Sequence, residues 1–385
     1  MLSYNLLNFP DANPYGKADT LADILAWHPV DLLIAEEIHD LNGAEQVLND
    51  ALNVNGVDRF SMATFVPQQS AQWATIKLAQ CIYYDHNKLG LRDQSLLLTN
   101  VRDINVYTMY LRDNGIFQGD TTFFTVFAVH LKASNDPQDI ADREAMAQVL
   151  TAHAAALPAG RPVIVAGDMN IYTGSEPAFT VLLTPLGGVQ LEDPLQLGGQ
   201  AWAGLGNASI FTQSTRVNAI FGDGAGGGLD DRFDIALMSD DIIDGSGPLE
   251  LVPGSYRPLG NSGTCWNDNI TDCSTWQAPF SILRKLYYMS DHLPLAFSLS
   301  TNAVLGISAG STRGATGMAL QGRGIVLQNA KDGELTIFNA LGQVLMETTV
   351  GPGRSCVELP RDLHGICIAR LTSVEDRATL KMCLE

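Results

Sequence analysis

In the first three hundred positions, short apolar runs repeatedly stop at one or two polar residues. Tyr4 to Phe9 opens as a strand and Pro10 to Gly16 as a polar loop, after which Ala18, Leu21, Ala22 and Leu25 recur at helical spacing up to Trp27. Pro29 bars that helix from continuing. Val30 to Ala35 reads as a buried strand ending abruptly in Glu36 and Glu37, and further strands are predicted over 80–84, 95–99 and 107–111. Phe123 to Val129, aromatic and β-branched throughout, is the clearest strand in the chain and delivers His130. A helix is predicted over 138–157, with Ile140, Ala141, Ala145, Val149 and Leu150 on one side. It leads into the short apolar run Val163 to Ala166, where Gly167 lets the backbone turn and Asp168 and Asn170 emerge at the carboxyl end. A short helix near 176–183, a flexible loop over 222–228 and a strand over 232–238 follow, and Ser290-Asp291-His292 precedes a last strand over 293–299. Residues 245–288 read as a surface excursion.

The pattern then changes. Residues 301–320 are rich in Gly, Ser, Thr and Ala, a linker by composition, and residues 321–385 show short alternating runs (325–327, 335–338, 344–346, 357–359, 366–368) separated by turn signals. The expected organisation is a domain over 1–300, a linker over 301–320 and a small all-β domain over 321–385. The strand, helix, strand order of the first part, with polar groups at strand ends, is the setting in which α/β proteins build sites.

Charge sharpens this. The formal net charge is −19, and residues 1–320 hold 16 Lys and Arg against 34 Asp and Glu. Such a balance argues against a non-catalytic nucleic-acid binder, which carries a basic face, but leaves room for an enzyme on phosphate esters whose carboxylates hold divalent cations. No run of 18 or more apolar residues occurs, so no transmembrane segment is expected. A signal peptide is absent as well, yet Met1-Leu2-Ser3 runs straight into the first strand, as a trimmed start would. Of six cysteines, Cys265 and Cys273 bracket a polar loop suited either to a loop-closing disulfide or to two free thiols, and no CxxC pair suggests zinc.

Taken one at a time, the polar residues allow bland readings. Gly-Asp-x-Asn also makes an ordinary turn. Glu36 and Glu37 must be exposed, paired or metal-bound. Tyr83 and Tyr84 fit core positions, Arg143 fits a surface or interlayer ion pair, and His28, His39, His86, His153 and His364 lack partner motifs. Asp230-Asp231 and Asp240-Asp241 fit solvated loops, with no EF-hand spacing.

Taken together, Tyr4-Asn5, Glu36-Glu37, His130-Leu131, Gly167-Asp168-Met169-Asn170, Arg232-Phe233-Asp234 and Ser290-Asp291-His292-Leu293-Pro294 resemble, in order and setting, the endonuclease/exonuclease/phosphatase superfamily. The resemblance covers roughly residues 1–300. It implies an α/β (α+β) four-layer sandwich, two mixed β-sheets packed face to face and flanked by helices. It also implies a metal-dependent phosphodiester hydrolase using Mg²⁺ or Mn²⁺, with Ca²⁺ as a further candidate. By resemblance Glu37 is the principal metal ligand, Asn5 and Asp291 complete or adjoin the metal shell, and Glu36 stands where the family often has Gln. Asp168 orients or deprotonates the attacking water, Asn170 holds a phosphoryl oxygen, His130 donates to a phosphate oxygen, and His292 is the acid/base imidazole oriented by Asp234.

The tail has its own resemblance. Leu335 to Val344, Leu359 to Leu363, Gly365-Ile366 and Lys381 are similar to the carboxy-terminal sorting domain of the type IX secretion system of Bacteroidetes, although Cys367 stands where an aromatic is common. This implies a β-sandwich, export through the periplasm and a secreted or cell-surface protein engaged by that machinery; a generic β-sandwich is the bland reading. The expected activity is that of a monomeric, non-specific extracellular endonuclease on DNA or RNA. A sphingomyelinase-like lipid or small-molecule phosphodiesterase is the alternative, and an inactive binding module the third reading. Specificity is expected in loops 59–80, 196–230 and 245–288.

Overall fold

The computed structural model describes residues 1–70, 77–113, 116, 121–220, 222–302, 317–321, 324–328, 332–339, 342–351, 356–360, 363–373 and 377–384. The chain divides into two compact units, Met1–Leu305 and Gly306–Glu385.

In the larger unit β1 (Leu2–Phe9), α1 (Lys17–Trp27) and β2 (Leu32–Ile38) form one strand, helix, strand unit, followed by α2 (Leu41–Gln46) and a π-helical turn over Val47–Leu52. Then come β3 (Phe60–Met62), β4 (Ala79–Asp85), β5 (Leu89–Leu97), β6 (Ile104–Leu111), β7 (Phe123–His130), α3 (Pro137–Ala154), β8 (Val163–Asp168) and α4 (Pro177–Leu183). The unit closes with β9 (Leu191–Glu192), β10 (Asp234–Ser239), α5 (Asp240–Ile243), β11 (Glu250–Leu251), β12 (Arg257–Pro258), α6 (Phe280–Met289), β13 (Leu295–Ala296) and β14 (Leu299–Ser300). Two six-stranded sheets result, in the orders β12-β13-β1-β2-β4-β3 and β5-β6-β7-β8-β10-β9. Both are mixed: β1 and β2 are parallel, as are β7 and β8, because each pair is joined through a helix, while the remaining neighbours run antiparallel.

Strand alternation sorts side chains into layers. Ile164, Ala166, Val126, Ala128, Ala236, Met238, Leu32 and Ile34 meet between the sheets. On the far side of the first sheet Leu33, Ala35 and Tyr83 pack on Leu21 and Ile24 of α1 and Leu283 and Leu286 of α6. On the far side of the second, Val163, Val165, Phe127 and Ile235 pack on Met146, Ala147 and Leu150 of α3 and Phe179 and Leu182 of α4. The result is the expected four-layer sandwich of two mixed sheets flanked by helices.

Four expectations change. The α3 helix ends at Ala154 and buries Asp142, Arg143, Met146, Ala147, Leu150 and Thr151, leaving Ala141 and Val149 exposed. Its Ala-rich face has little hydrophobic contrast, and the buried pair of Arg143 with Glu176 decides the orientation. Residues 245–288 are not all excursion: α6 begins at Phe280 and buries Ile282, Leu283, Leu286 and Met289 in the core. Gly167 does not end the strand but lies within β8, at a φ of +151° that favours glycine and where a Cβ would overlap the Val129 carbonyl oxygen; Asn170 also has positive φ, at +50°. Asn5 and Glu36-Glu37 are inside their strands rather than at the ends, at a shared break in pairing.

The smaller unit is all-β, as its alternation predicts, with a three-stranded sheet (Gly317–Gln321, Gly324–Gln328, Cys356–Glu358) and a four-stranded sheet (Gly333–Asn339, Val344–Val350, Gly365–Ser373, Arg377–Leu384). Its buried cluster is apolar, including Ile325, Leu335, Ile337, Val357, Ala369 and Leu371. Most of the expected linker, residues 303–316, lies outside the described residues.

Candidate active site

The inter-sheet layer is apolar along most of its length and becomes polar at one end. In the second sheet His130 pairs with Asp168 across β7 and β8, and Asp168 with Asp234 across β8 and β10, so register alone sets the three side by side on the inner face. In the first sheet Asn5 pairs with Glu36, and beyond them pairing is lost until Phe9 and Ile38. Leu7, Asn8 and Glu37 adopt φ of +52°, +47° and +58°. A regular strand would send Glu36 and Glu37 to opposite faces; the irregularity lets both meet inner-face groups. Lys17 secures the break, its buried ammonium donating to the Leu6 carbonyl at 2.5 Å and the Leu7 carbonyl at 2.7 Å.

Asp168 uses its two oxygens differently. Oδ1 accepts from the Asn170 backbone N–H at 3.0 Å, a local turn of the kind that the motif predicts. Oδ2 accepts from Asn5 Nδ2 at 3.2 Å and lies 3.4 Å from His130 Nε2 and 3.5 Å from His292 Nε2. Asn5 Nδ2 also donates to Glu37 Oε1 at 3.0 Å, and Glu37 Oε2 accepts from the Asn8 N–H at 2.9 Å. His292 Nδ1 stands 2.7 Å from Asp234 Oδ2, which fixes the ring. Asn170 Nδ2 donates to the Leu131 carbonyl at 3.3 Å.

Asp291 joins from the α6 side. Its Oδ2 accepts from Gln213 Nε2 at 3.1 Å and from the Ala225 N–H at 2.7 Å, and the same Gln213 nitrogen is 2.6 Å from His292 Nε2. All eight residues expected from the sequence, Asn5, Glu37, His130, Asp168, Asn170, Asp234, Asp291 and His292, therefore fall in one neighbourhood, though no hydrogen bond links Asp291 to Glu37 or Asn5 among the described residues.

Glu36 is wholly buried beneath them. Its Oε2 accepts from the Asp168 N–H at 2.7 Å and its Oε1 from Ser3 Oγ at 3.0 Å, so it bridges the two sheets. Burial, reinforced by Asp234 and Asp168, holds its carboxyl well above the usual carboxylate range. Burial also pushes Asp168 up to about 7; the charge of His292 opposes this and Asp234 adds to it. For His292 burial works against the cation, but Asp234, Asp168 and Asp291 together outweigh it and hold the imidazole well above its ordinary value. His130 goes the other way, kept neutral by burial and by the positive charges of Arg102 and His292. The site thus contains one basic and one neutral imidazole flanking one carboxylate, a division of labour suited to moving a proton near neutral pH.

The donor set suits a hard divalent cation by type: carboxylates at Glu37 and Asp291, of which Glu37 is the more open, its side chain 14% exposed, and the amide of Asn5, whose oxygen here accepts from the Leu7 N–H at 3.0 Å. The crowding that raises Glu36 and Asp168 is the kind of field that a cation relieves. Among the described residues no group of three or more His, Cys, Asp or Glu side chains stands at metal-holding spacing.

The bland readings account for their residues. Tyr83 is core, its hydroxyl donating to the Ala44 carbonyl at 3.0 Å, and Arg143 is a buried ion pair with Glu176 at 2.5 Å. Cys265 and Cys273 form a disulfide, with Cα atoms 5.1 Å apart. Three residues escaped sequence reasoning: Gln213, Lys17 and Arg102, whose Nη1 donates to the Leu131 carbonyl at 2.7 Å. Each is a single polar residue with no motif around it, and only the folded contacts reveal it.

No family model matches the chain, and neither does any curated protein. Among solved structures, the human Nocturnin catalytic domain with bound sulfate is similar at 16% identity over 78% of this chain and 93% of that one, with a TM-score of 0.49. D. rerio TDP2 complexed with a single-strand DNA product is similar at 16% identity over 78% of this chain and 98% of that one, TM-score 0.49. An endonuclease/exonuclease/phosphatase from Bacteroides vulgatus is similar at 11% identity over 78% and 98%, TM-score 0.48.

Proposed function

We propose that the chain is a divalent-metal-dependent phosphodiester hydrolase, a non-specific endonuclease in the first instance. The observation that carries this is the convergence, at one end of the inter-sheet layer, of an acid/base imidazole oriented by a carboxylate (His292 on Asp234), a carboxylate near neutrality (Asp168) and an oxygen-rich donor set (Glu37, Asn5, Asp291). In-line cleavage of a phosphodiester needs an activated water, a proton route and charge compensation on the phosphoryl oxygens. Asp168 orients the water and Asp168 with His292 receives its proton. Asn170 and His130, the latter held neutral, offer N–H groups to phosphoryl oxygens. Glu37, with Asn5 and Asp291, would hold Mg²⁺ or Mn²⁺, which supplies the charge compensation when bound. No helix among the described residues is long and apolar enough to cross a membrane. The tail's likeness to a type IX sorting domain supports export through the periplasm to the cell surface or medium.

The test is hydrolysis of plasmid DNA and of bis-p-nitrophenyl phosphate with Mg²⁺ or Mn²⁺, with and without chelator. Metal-dependent cleavage of both is expected. Cleavage of the small ester with intact plasmid would move the substrate to lipids or small molecules, a reading favoured by the exposed Trp266, Trp276 and Phe280. No turnover of any phosphoester would leave a binding module.

A further inference from the structure

The outer face of α6 is not simply hydrophilic. Ile282, Leu283, Leu286 and Met289 are buried in the core, and amphipathicity alone would put polar residues on the opposite side. Phe280, Arg284 and Tyr288 instead recur every four residues, as one ridge of the helix. Phe280 is 43% exposed and lies against Trp276, itself 53% exposed, with ring centroids 4.8 Å apart and planes at 30°. The Arg284 guanidinium lies over the Tyr288 ring, 6.0 Å from its centroid. Aromatic rings and a cation therefore alternate along this surface.

Cations are scarce in this part of the chain, where residues 1–320 hold 16 Lys and Arg against 34 Asp and Glu. Lys285, beside the ridge, is tied to Asp23 of α1 at 2.5 Å, and Lys17 is buried against the Leu6 and Leu7 carbonyls. Arg284 differs: it is exposed and makes neither hydrogen bond nor ion pair among the described residues. It borders an open groove between α1 and α6, lined also by Pro14, Thr20, Ser281, Lys285 and Tyr288. The ridge leads to the candidate site, since Tyr288 precedes Asp291 by three residues and Pro14 follows the broken end of β1.

A base offers a π-face to any aromatic ring, and a phosphate offers charge to a guanidinium, so this alternation of side chains matches the alternation of groups along a nucleic-acid strand. Four helical residues advance about 6 Å. That exceeds the about 3.4 Å rise of a stacked strand, so an unstacked single strand suits the ridge better than a duplex does. A lipid surface suits it poorly as well, because a cation divides the aromatic residues and the hydroxyls of Thr20 and Ser281 border them.

We propose that the ridge of Trp276, Phe280, Arg284 and Tyr288 is a track for single-stranded nucleic acid, its rings stacking on bases and Arg284 pairing with a phosphate outside the catalytic cluster. The assignment rests on the phosphodiesterase reading above and names the substrate class within it.

Phe280→Ala and Arg284→Ala are assayed with Mg²⁺ on a labelled single-stranded oligonucleotide, on the duplex of the same sequence and on bis-p-nitrophenyl phosphate. Loss of a stacking platform weakens single-strand binding by about 5- to 100-fold. The expected results are a wild type that prefers the single strand, a rise of that order in its KM for Phe280→Ala, and unchanged kcat/KM on the small ester, which is too short to reach α6. For Arg284→Ala the KM rises too, and the slope of log KM against log salt falls by about 0.7. A wild type without single-strand preference, unchanged KM in both variants, or equal losses on the oligonucleotide and the small ester overturns the assignment. So does sedimentation with phosphatidylcholine vesicles that Phe280→Ala abolishes while single-strand cleavage stays the same, which would make the ridge a lipid contact. If the wild-type chain turns over no phosphoester, the enzymatic reading fails separately, and fluorescence anisotropy of the oligonucleotide decides the point. Binding that both substitutions weaken supports the track, whereas absent binding, or binding equal to the wild type's in either variant, overturns it.

Discussion

In the second sheet β7, β8 and β10 pair without a break up to the row His130, Asp168 and Asp234, whereas the first sheet loses its pairing at Asn5 and Glu36 and reaches the same cluster through Leu7, Asn8 and Glu37 at positive φ. Regular pairing delivers one polar side chain per strand, at a position that the alternation dictates. A break delivers two neighbouring carboxylates to one side, at some conformational cost, and so concentrates negative charge where a cation is needed. In the site proposed here, the regular sheet supplies the proton-handling groups and the broken sheet the metal-holding ones.

That contrast can be broken most sharply by substitution in the cluster itself. Asp168→Asn and His292→Ala should each lower the rate on bis-p-nitrophenyl phosphate by about 10²–10⁴-fold with an unchanged circular dichroism spectrum. Glu37→Gln should instead raise the Mg²⁺ concentration needed for half-maximal rate. Near-normal rates in the first two variants would sink the proposed division, and so would a Glu37→Gln defect that no amount of metal relieves.

The regularity of the second sheet depends on Gly167. Its replacement by Ala puts a methyl group onto the Val129 carbonyl oxygen, at a positive φ that disfavours any side chain and inside the pairing that sets His130 beside Asp168. A loss of about 2–4 kcal/mol in unfolding free energy is expected from urea titration, with reduced activity. An undisturbed midpoint would mean that the two strands can separate without affecting the row.

Glu36 links the two sheets and tests their coupling. Glu36→Ala leaves the buried Asp168 N–H without its acceptor and should destabilise by about 1–3 kcal/mol. Glu36→Gln keeps an acceptor there and should be tolerated, since burial already disfavours the charged form. Equal losses in both would show that the charge itself is needed.

The smallest effect concerns Cys81, which pairs with Ala35 beside the break in the first sheet. Burial pushes its thiol up to about 12. Its contribution to stability is complete below about pH 8.5, where the unfolded thiol is neutral too, and falls away as pH rises toward 12. Cys81 should stay unreactive toward a thiol reagent at pH 8 until the chain unfolds, while the exposed Cys356 reacts at once. Rapid reaction of Cys81 in the native state would mean that the break opens the strand locally.

The same contrast explains what could be read from the sequence. Strands such as Phe123 to His130 and Val163 to Asp168 announce themselves by their apolar runs, and the polar residue that ends each one is where register places it. Breaks are different: positive φ at Leu7 and Glu37 depends on partner strands distant in sequence, so the first sheet's half of the site could be located by residue type but not by geometry. The α6 helix was hidden by its Phe and Tyr content beside the cysteine loop, although Ile282, Leu283, Leu286 and Met289 lie on one helical face. Arg102, Lys17 and Gln213 have no local pattern, and it is carbonyls and carboxylates elsewhere in the chain that give them meaning.

The hydrogen bond from the Asp168 N–H to Glu36 spans 132 positions, and that from Asn5 to Asp168 spans 163. The strand, helix, strand unit at the heart of each sheet can form from nearer contacts, although β1 also pairs with β13 near the end of the unit, and neither sheet holds a complete site alone. Closing loops of that length comes late in folding, after local structure has formed. During refolding, recovery of activity will therefore lag behind recovery of secondary structure, and a nascent chain will have no competent site until both sheets have been made and docked.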